Sequence, residues 1–214
     1  MLRRFALLLC LLGVGLAGEG AWIEAKAWLA EALIASAWQR TLSGHRAVPP
    51  WPWADTRPVA TLESPRLGVK RWVLSGDSGR TLAFGPGWAE HTAAPGEAGR
   101  SFISGHRDTH FRFLKDLRIG DRLNVQTPEG RDLSYRVAET GVIDQREGRR
   151  LALDGPQELL LITCYPFDAI IPGGNLRYIV RAEISSASPE IIGEVIDTEF
   201  GLESGARTNN RGPR

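Results

Sequence analysis

The chain has 214 residues, which is room for one domain of ordinary size with a leader and a tail. Its formal net charge is +1, with 26 basic against 25 acidic side chains, so charge offers no argument for nucleic acid or a strongly acidic surface as a partner. Five of the seven tryptophans precede residue 54, which assigns them to the N-terminal segments rather than to a main core.

Met1-Leu2-Arg3-Arg4 leads into a charge-free run from Phe5 to Gly18. A basic pair ahead of an apolar run is the pattern of an export signal. Two outcomes fit its length. Cleavage would use the small residues Gly15 and Ala17 near Glu19. Retention as an anchor needs a span of about 20 residues, which absorbs Glu19 and reaches Trp22 and Ile23, with Trp22 suited to the interface. Leu8-Leu9-Cys10 lacks the small residues expected before a lipid-modified cysteine. Residues 1–23 are therefore read as a membrane anchor or signal segment, and the bulk of the chain is expected to be exported.

Residues 24–58 form the second segment. Trp22, Ile23, Ala27, Leu29, Ala30, Leu33, Ile34 and Trp38 recur at helical spacing and predict a helix over 21–40. Such a helix continues the membrane span, lies on the bilayer surface, or packs on the domain. Ser43-Gly44, Pro49-Pro50-Trp51-Pro52-Trp53 and Pro58 then exclude regular structure and make a semi-rigid spacer.

Between 59 and 184 the pattern changes to short apolar or alternating runs separated by Gly, Pro and Asp. The predicted strands are Leu67 to Leu74, Leu82 to Phe84, Arg100 to Ser104, Arg122 to Gln126, Asp132 to Glu139, Glu158 to Thr163 and Leu176 to Ile184. With only a brief helical stretch near Phe111 to Leu117, they argue for an all-β barrel or sandwich. Thr127-Pro128-Glu129-Gly130 reads as a hairpin turn. The tail, 185–214, has too little apolar content near its end to order itself, although Ile191 to Ile196 has the composition for one more short segment.

Cys164 is the only cysteine outside the N-terminal run, and Cys10 is not a plausible disulfide partner for it. Export exposes an unpaired thiol to oxidation unless it is buried or useful. Leu159-Leu160-Leu161-Ile162-Thr163-Cys164-Tyr165-Pro166 ends a strand at the thiol, because the proline stops the ladder soon after. A free thiol has a pKa near ~8.5, so a nucleophilic one needs a basic or cationic neighbour. His106 is the candidate acid or base: it directly follows a strand in Phe102-Ile103-Ser104-Gly105-His106-Arg107-Asp108-Thr109-His110-Phe111. His106 and His110 have the spacing of a metal pair, but the glutamate of His-Glu-x-x-His is missing, and no third ligand is evident unless Cys164 serves. Arg177 opens the strand that returns from Cys164 through Gly173-Gly174-Asn175, so pairing of consecutive strands brings it near the thiol; Arg181 is the alternative in another register. A guanidinium there can stabilise an oxyanion.

Taken together, Leu161-Ile162-Thr163-Cys164, the later Arg177 and the upstream Gly105-His106 resemble the sortase family of cysteine transpeptidases. The likeness covers residues 59–184. The stretch from Ala37-Trp38-Gln39-Arg40 through Pro49-Pro50-Trp51-Pro52-Trp53 looks most like the Gram-negative subgroup, class GN. The resemblance implies an eight-stranded β-barrel with short helices, preceded by an N-terminal membrane helix. It implies that Cys164 attacks the carbonyl after Thr in a Leu-Pro-x-Thr-Gly-like C-terminal sorting signal of a protein substrate, and that an amine acceptor resolves the thioacyl enzyme. His106 would move the proton and Arg177 would steady the oxyanion. No cofactor or metal is implied. The N-terminal segment is then an uncleaved single-pass anchor in the inner membrane, with the catalytic domain outside the cytoplasm. Two other readings make different demands. L,D-transpeptidases carry their cysteine in Ser-x-Gly-Cys-x-Arg, which Ile162-Thr163-Cys164-Tyr165-Pro166 does not match, and a cysteine hydrolase would resolve its acyl enzyme with water. A non-catalytic periplasmic β-domain predicts Cys164 buried and remote from His106 and Arg177.

Overall fold

The computed structural model describes residues 2–147, 155–169 and 173–185, except for the side chains at 2, 6–12, 14, 16 and 17. The expected tail after residue 185, its possible segment at 191–196 and the Cys10 side chain lie outside the described residues.

Helix α1 (Leu2–Leu42) runs without a break across the boundary expected at residue 23. Among the described residues no helix is long and apolar enough to cross a membrane, and most side chains of the N-terminal apolar run are not among them. Ile34, Ala37, Trp38 and Thr41 are buried; their spacing places them on one helix face, which packs against the first strand. Of the periodic positions further upstream, Trp22, Ile23 and Leu29 stay exposed, as does Trp28. The last turns of the helix thus belong to the domain. After the helix, Trp51 packs edge-on against Phe84 with ring centroids 5.1 Å apart, whereas Trp53 remains 82% exposed. One tryptophan of the proline-rich stretch therefore wraps the domain and the other does not.

Eight strands among the described residues close into a barrel: β1 (Pro58–Ser64), β2 (Val69–Ser75), β3 (Gly87–Trp88), β4 (Arg100–Ser104), β5 (Arg122–Gln126), β6 (Asp132–Asp144), β7 (Glu158–Cys164) and β8 (Leu176–Ile184). Their order is β1-β2-β3-β4-β7-β8-β6-β5, and β5 pairs with β1 to close the ring. The β2–β3 and β4–β7 pairs are parallel and the others antiparallel. Closure leaves no long free edge to recruit another chain.

Three details depart from the expectation. Leu82 to Phe84 is not a strand: Gly79–Leu82 forms the short helix α2, whose N-cap Ser78 accepts a hydrogen bond from the Thr81 amide. The strand of that region is the two-residue β3 further on. No strand is expected ahead of Leu67, yet β1 occupies Pro58–Ser64, a turn of 3-10 helix takes Pro65–Leu67, and β2 starts only at Val69; the first position of a strand tolerates proline because no ladder donor is lost there. β6 continues to Asp144, past a register shift between Val137 and Glu139.

Side-chain alternation divides each strand between the barrel interior and its outer face. The interior is filled by Leu62, Val73, Ile103, Phe111, Leu123, Val125, Tyr135, Leu159, Leu161 and Val180 among others. A second, smaller apolar cluster of Ala89, Phe102, Leu160 and Ile179, flanked by Ile143 and Ile162, lies on the outside of β4, β7 and β8. At the far end of that outer face, buried Glu158 of β7 is held by Arg100 of β4 at 2.7 Å and by Arg181 of β8 at 2.9 Å. A carboxylate that deeply buried is tolerable only when paired, so this triad pins the three strands together.

The helix contact predicts an asymmetry between two tryptophans of α1. Trp38→Ala should cost about 3–5 kcal/mol, the usual range for emptying a buried aromatic site. Trp28→Ala should stay within about 0.5 kcal/mol. Urea denaturation of the two variants beside wild type checks this.

Candidate active site

The candidate residues sit where three strands end. Ser104, the last residue of β4, is opposite Ile162 of β7 in the parallel ladder. The next amide, Gly105 N–H, donates to Ile162 O at 3.1 Å, so the ladder runs one residue past the strand and His106 emerges beside Cys164. On the other side of β7, Cys164 and Arg177 are direct partners in the antiparallel ladder with β8. Paired residues share a face, and this one is the outer face that carries Leu160, Ile162 and Ile179. Cys164 is half-buried and unpaired, His106 is exposed, and Arg177 is half-buried. The structure therefore brings all three to one rim, which a non-catalytic domain with a remote, buried Cys164 does not predict.

Each position is fixed by its neighbours. Thr163 points inward, 2% exposed, and its hydroxyl donates to Gly105 O at 2.6 Å, tying the turn before His106 to the strand end before Cys164. Gly105 has no room for a side chain, since a Cβ there would lie 2.7 Å from the Phe111 ring. Phe111 is fully buried, and its amide returns to His106 O at 3.0 Å. The Arg177 guanidinium donates through Nη1 to Gly174 O and Leu176 O, both at 2.9 Å, which holds it at the rim of the β7–β8 turn. Arg181, the alternative arginine, is committed instead to Glu139, Glu158 and Glu183.

After Cys164 the chain turns through Tyr165, Phe167 and Asp168. Tyr165 stacks on Tyr178 of β8 with centroids 6.3 Å apart, and Phe167 meets Tyr178 edge-on at 5.1 Å. The residue that sequence reasoning passed over is Arg107. It is 5% exposed, and its guanidinium donates to Pro166 O and Ala169 O, both at 2.7 Å. Only its place directly after His106 could have drawn attention to it. Beside it opens a cavity of about 580 Å³ bordered by Asp108, Arg112, Lys115, Tyr165 and Asp168.

His110 does not join the rim. With Glu24, Trp28 and Glu31 of α1, and with Arg71, Trp72 and Phe84, it lines a cavity of about 520 Å³ between the helix and the barrel. Among the described residues no three His, Cys, Asp or Glu side chains converge as metal ligands. Burial pushes the His110 imidazole below the usual histidine range. A hydrogen bond to the Ala83 backbone and the charge of Glu31 oppose that push, and Arg71 and His106 add to it.

These strands carry a thiol, an imidazole and a guanidinium on adjacent ends, and comparison with known proteins gives the arrangement a lineage. A family model described as the sortase domain matches residues 62–185. The chain belongs to the sortase family. Sortase D of Bacillus subtilis (strain 168) is 33% identical over 122 residues, a match that covers 56% of this chain and 60% of that protein. The match thus spans less than two thirds of that relative's length. Among solved structures, a Sortase D5 transpeptidase of Clostridium perfringens is 26% identical at a TM-score of 0.51, covering 60% of this chain and 79% of that one. Sortase C-1 of Actinomyces oris is 27% identical at a TM-score of 0.51, covering 61% of this chain and 74% of that one. Sortase A from Corynebacterium diphtheriae, at 21% identity and a TM-score of 0.56 over 75% of this chain and 86% of that one, shares the fold. The eight-stranded sortase barrel is therefore the fold of this chain.

The depressed histidine has a consequence for stability. On acidification the unfolded chain takes up a proton at His110 before the folded one does. The favourable contribution is complete above the unfolded value of about 6.5 and is lost as pH falls below it towards the lower folded value. Urea denaturation at pH 7.5 and 5.5 should show His110→Gln losing less stability between the two than wild type; equal losses would contradict this placement of the imidazole.

Proposed function

We propose that this sortase-family chain is a cysteine transpeptidase that cleaves a C-terminal sorting signal of Leu-Pro-x-Thr-Gly type and passes the protein to an amine. The observation that carries the proposal is the register: Cys164 opposite Arg177 on β8, with His106 at the end of the parallel strand on its other side.

In this proposal the signal reaches the rim along the outer side of β7 and β8, where Ile162 and Ile143 are partly exposed over the buried cluster of Phe102, Leu160 and Ile179, and its scissile carbonyl sits at the rim. The Cys164 thiol passes its proton to His106 as Sγ attacks the Thr carbonyl carbon. The oxygen takes the negative charge, and the Arg177 guanidinium stabilises it. Collapse of this intermediate breaks the C–N bond, and His106 delivers the proton that the departing Gly amine needs. A thioester on Cys164 remains. The acceptor amine then attacks it, loses its proton to His106, and leaves as the new amide with Cys164 restored. Atoms balance with no cofactor.

The Arg3-Arg4 pair, the charge-free run from Phe5 to Gly18 and the exposed Trp22 and Trp28 support an N-terminal anchor that keeps this domain at the outer surface of the inner membrane. The tryptophan- and proline-rich stretch from Ala37 to Trp53 supports a place among the class GN sortases.

The test incubates detergent-solubilised full-length protein with a Leu-Pro-x-Thr-Gly peptide and a primary amine, and quantifies the peptide–amine product. Cys164→Ala should give none. His106→Asn should lower kcat/KM by about 10²–10⁴-fold, and Arg177→Ala by about 10²–10³-fold. Product from Cys164→Ala would rule out Cys164 as nucleophile. Cleavage without an amide product, at any amine concentration, would make the enzyme a hydrolase.

A further inference from the structure

His106 carries an exposed imidazole on a backbone that is fixed on both sides. On its N-terminal side, Gly105 is held to β7 through its own amide and through the Thr163 hydroxyl. On its C-terminal side lies Arg107. Arginines are rarely buried without a purpose, because desolvating a guanidinium is costly unless its donors are satisfied. Here Nη1 reaches Pro166 O and Nη2 reaches Ala169 O at 2.7 Å each, while Nε lies 3.3 Å from the largely exposed carboxylate of Asp108. Both carbonyls belong to the loop that immediately follows Cys164. They are 59 and 62 residues away in sequence, so no local turn accounts for the contact.

We propose that Arg107 is a positioning residue: its guanidinium clamps the His106-bearing turn to the loop after Cys164 and so sets where the imidazole stands relative to the thiol. Sγ and the imidazole come from separate strand ends. The Gly105 ties hold the turn to β7 and the Phe111 amide closes the turn on His106 O, but these bonds do not reach the loop after Cys164. Arg107 supplies that link. The planar fork is what the geometry uses, since two well-separated nitrogens each meet one carbonyl along a short bond. In this role Arg107, itself buried, acts through His106. The inference rests on the transpeptidase reading above, and the experiment separates the two.

Full-length Arg107→Gln and Arg107→Lys are compared with wild type, His106→Asn and Arg66→Gln. Arg66 makes an equally short staple, 2.7 Å to each oxygen of Asp121 just before β5 with a further bond to Asp116 O, and none of these partners is on β4, β7 or β8, so it controls for loss of an arginine staple in general. Activity is normalised to thiols titrated in the folded protein. For Arg107→Gln, kcat should fall about 100-fold, the scale expected when a catalytic group is misplaced by about 1 Å, with KM within about threefold, because the guanidinium is committed to the Pro166 and Ala169 carbonyls. Arg107→Lys should recover only part of this loss, and Arg66→Gln should leave kcat unchanged.

The second readout needs no turnover: the pH profile of Cys164 alkylation by iodoacetamide. In Arg107→Gln it should move from the wild-type profile towards that of His106→Asn, with Arg66→Gln following wild type. Wild-type kcat per titrated thiol in Arg107→Gln, or an alkylation profile that coincides with wild type, would overturn the clamp. If wild type forms no amide product, the transpeptidase reading fails, and the alkylation profiles alone decide the role of Arg107.

Discussion

β7 is hydrogen-bonded on one side to β4, running parallel, and on the other to β8, running antiparallel. A parallel pair brings like ends together, so the residue after β4 and the last residue of β7 meet at one rim. An antiparallel pair brings opposite ends together, so the first residues of β8 meet that rim too. A shift of one residue in either ladder would turn Cys164 or its partner to the other face of the sheet. The Glu158 ion pairs at the opposite end, together with Leu159, Leu161, Ile103 and Val180 inside the barrel, make such a slip costly. The site therefore inherits its precision from packing some distance away.

The outer face of this three-strand unit has a consistent gradient. It runs from the buried Glu158 triad, through the buried apolar cluster of Phe102, Leu160 and Ile179, to the polar rim with Cys164, Arg177 and His106. The barrel interior is filled, so the half-buried thiol faces outward at the end of this unit rather than into the core. The same unit restrains the backbone on both sides of His106 and leaves its side chain exposed.

How much of this was legible in the sequence depended on how strongly each element declared itself. β4, β7 and β8 are apolar or alternating runs ended by Gly, Pro or polar clusters, and they were placed within a residue or two. So were the arginine on the returning strand and the histidine after Gly105, because their positions follow from strand ends. β3 has two residues and no pattern to find. Leu82 to Phe84 misled because a short apolar run has no measurable period, and the Ser78 cap outweighed it. β1 hid behind its leading proline, and β6 outran its expected end because the register shift after Val137 breaks the alternation. Arg107 was illegible for a different reason. On paper it is one more charged residue in a polar turn, and its burial exists only once two loops some 60 residues apart have closed on each other.

The central claim is that Cys164 at this rim forms a covalent bond to the substrate carbonyl. The most direct measurement is intact-mass spectrometry of the full-length protein, quenched in acid shortly after mixing with a Leu-Pro-x-Thr-Gly peptide in the absence of added amine. The account predicts a mass increase equal to the peptide fragment ending at Thr, located on Cys164 after proteolysis and released by hydroxylamine. Cleavage of the peptide with Cys164 left unmodified, or an adduct mapped to any other residue, would contradict it.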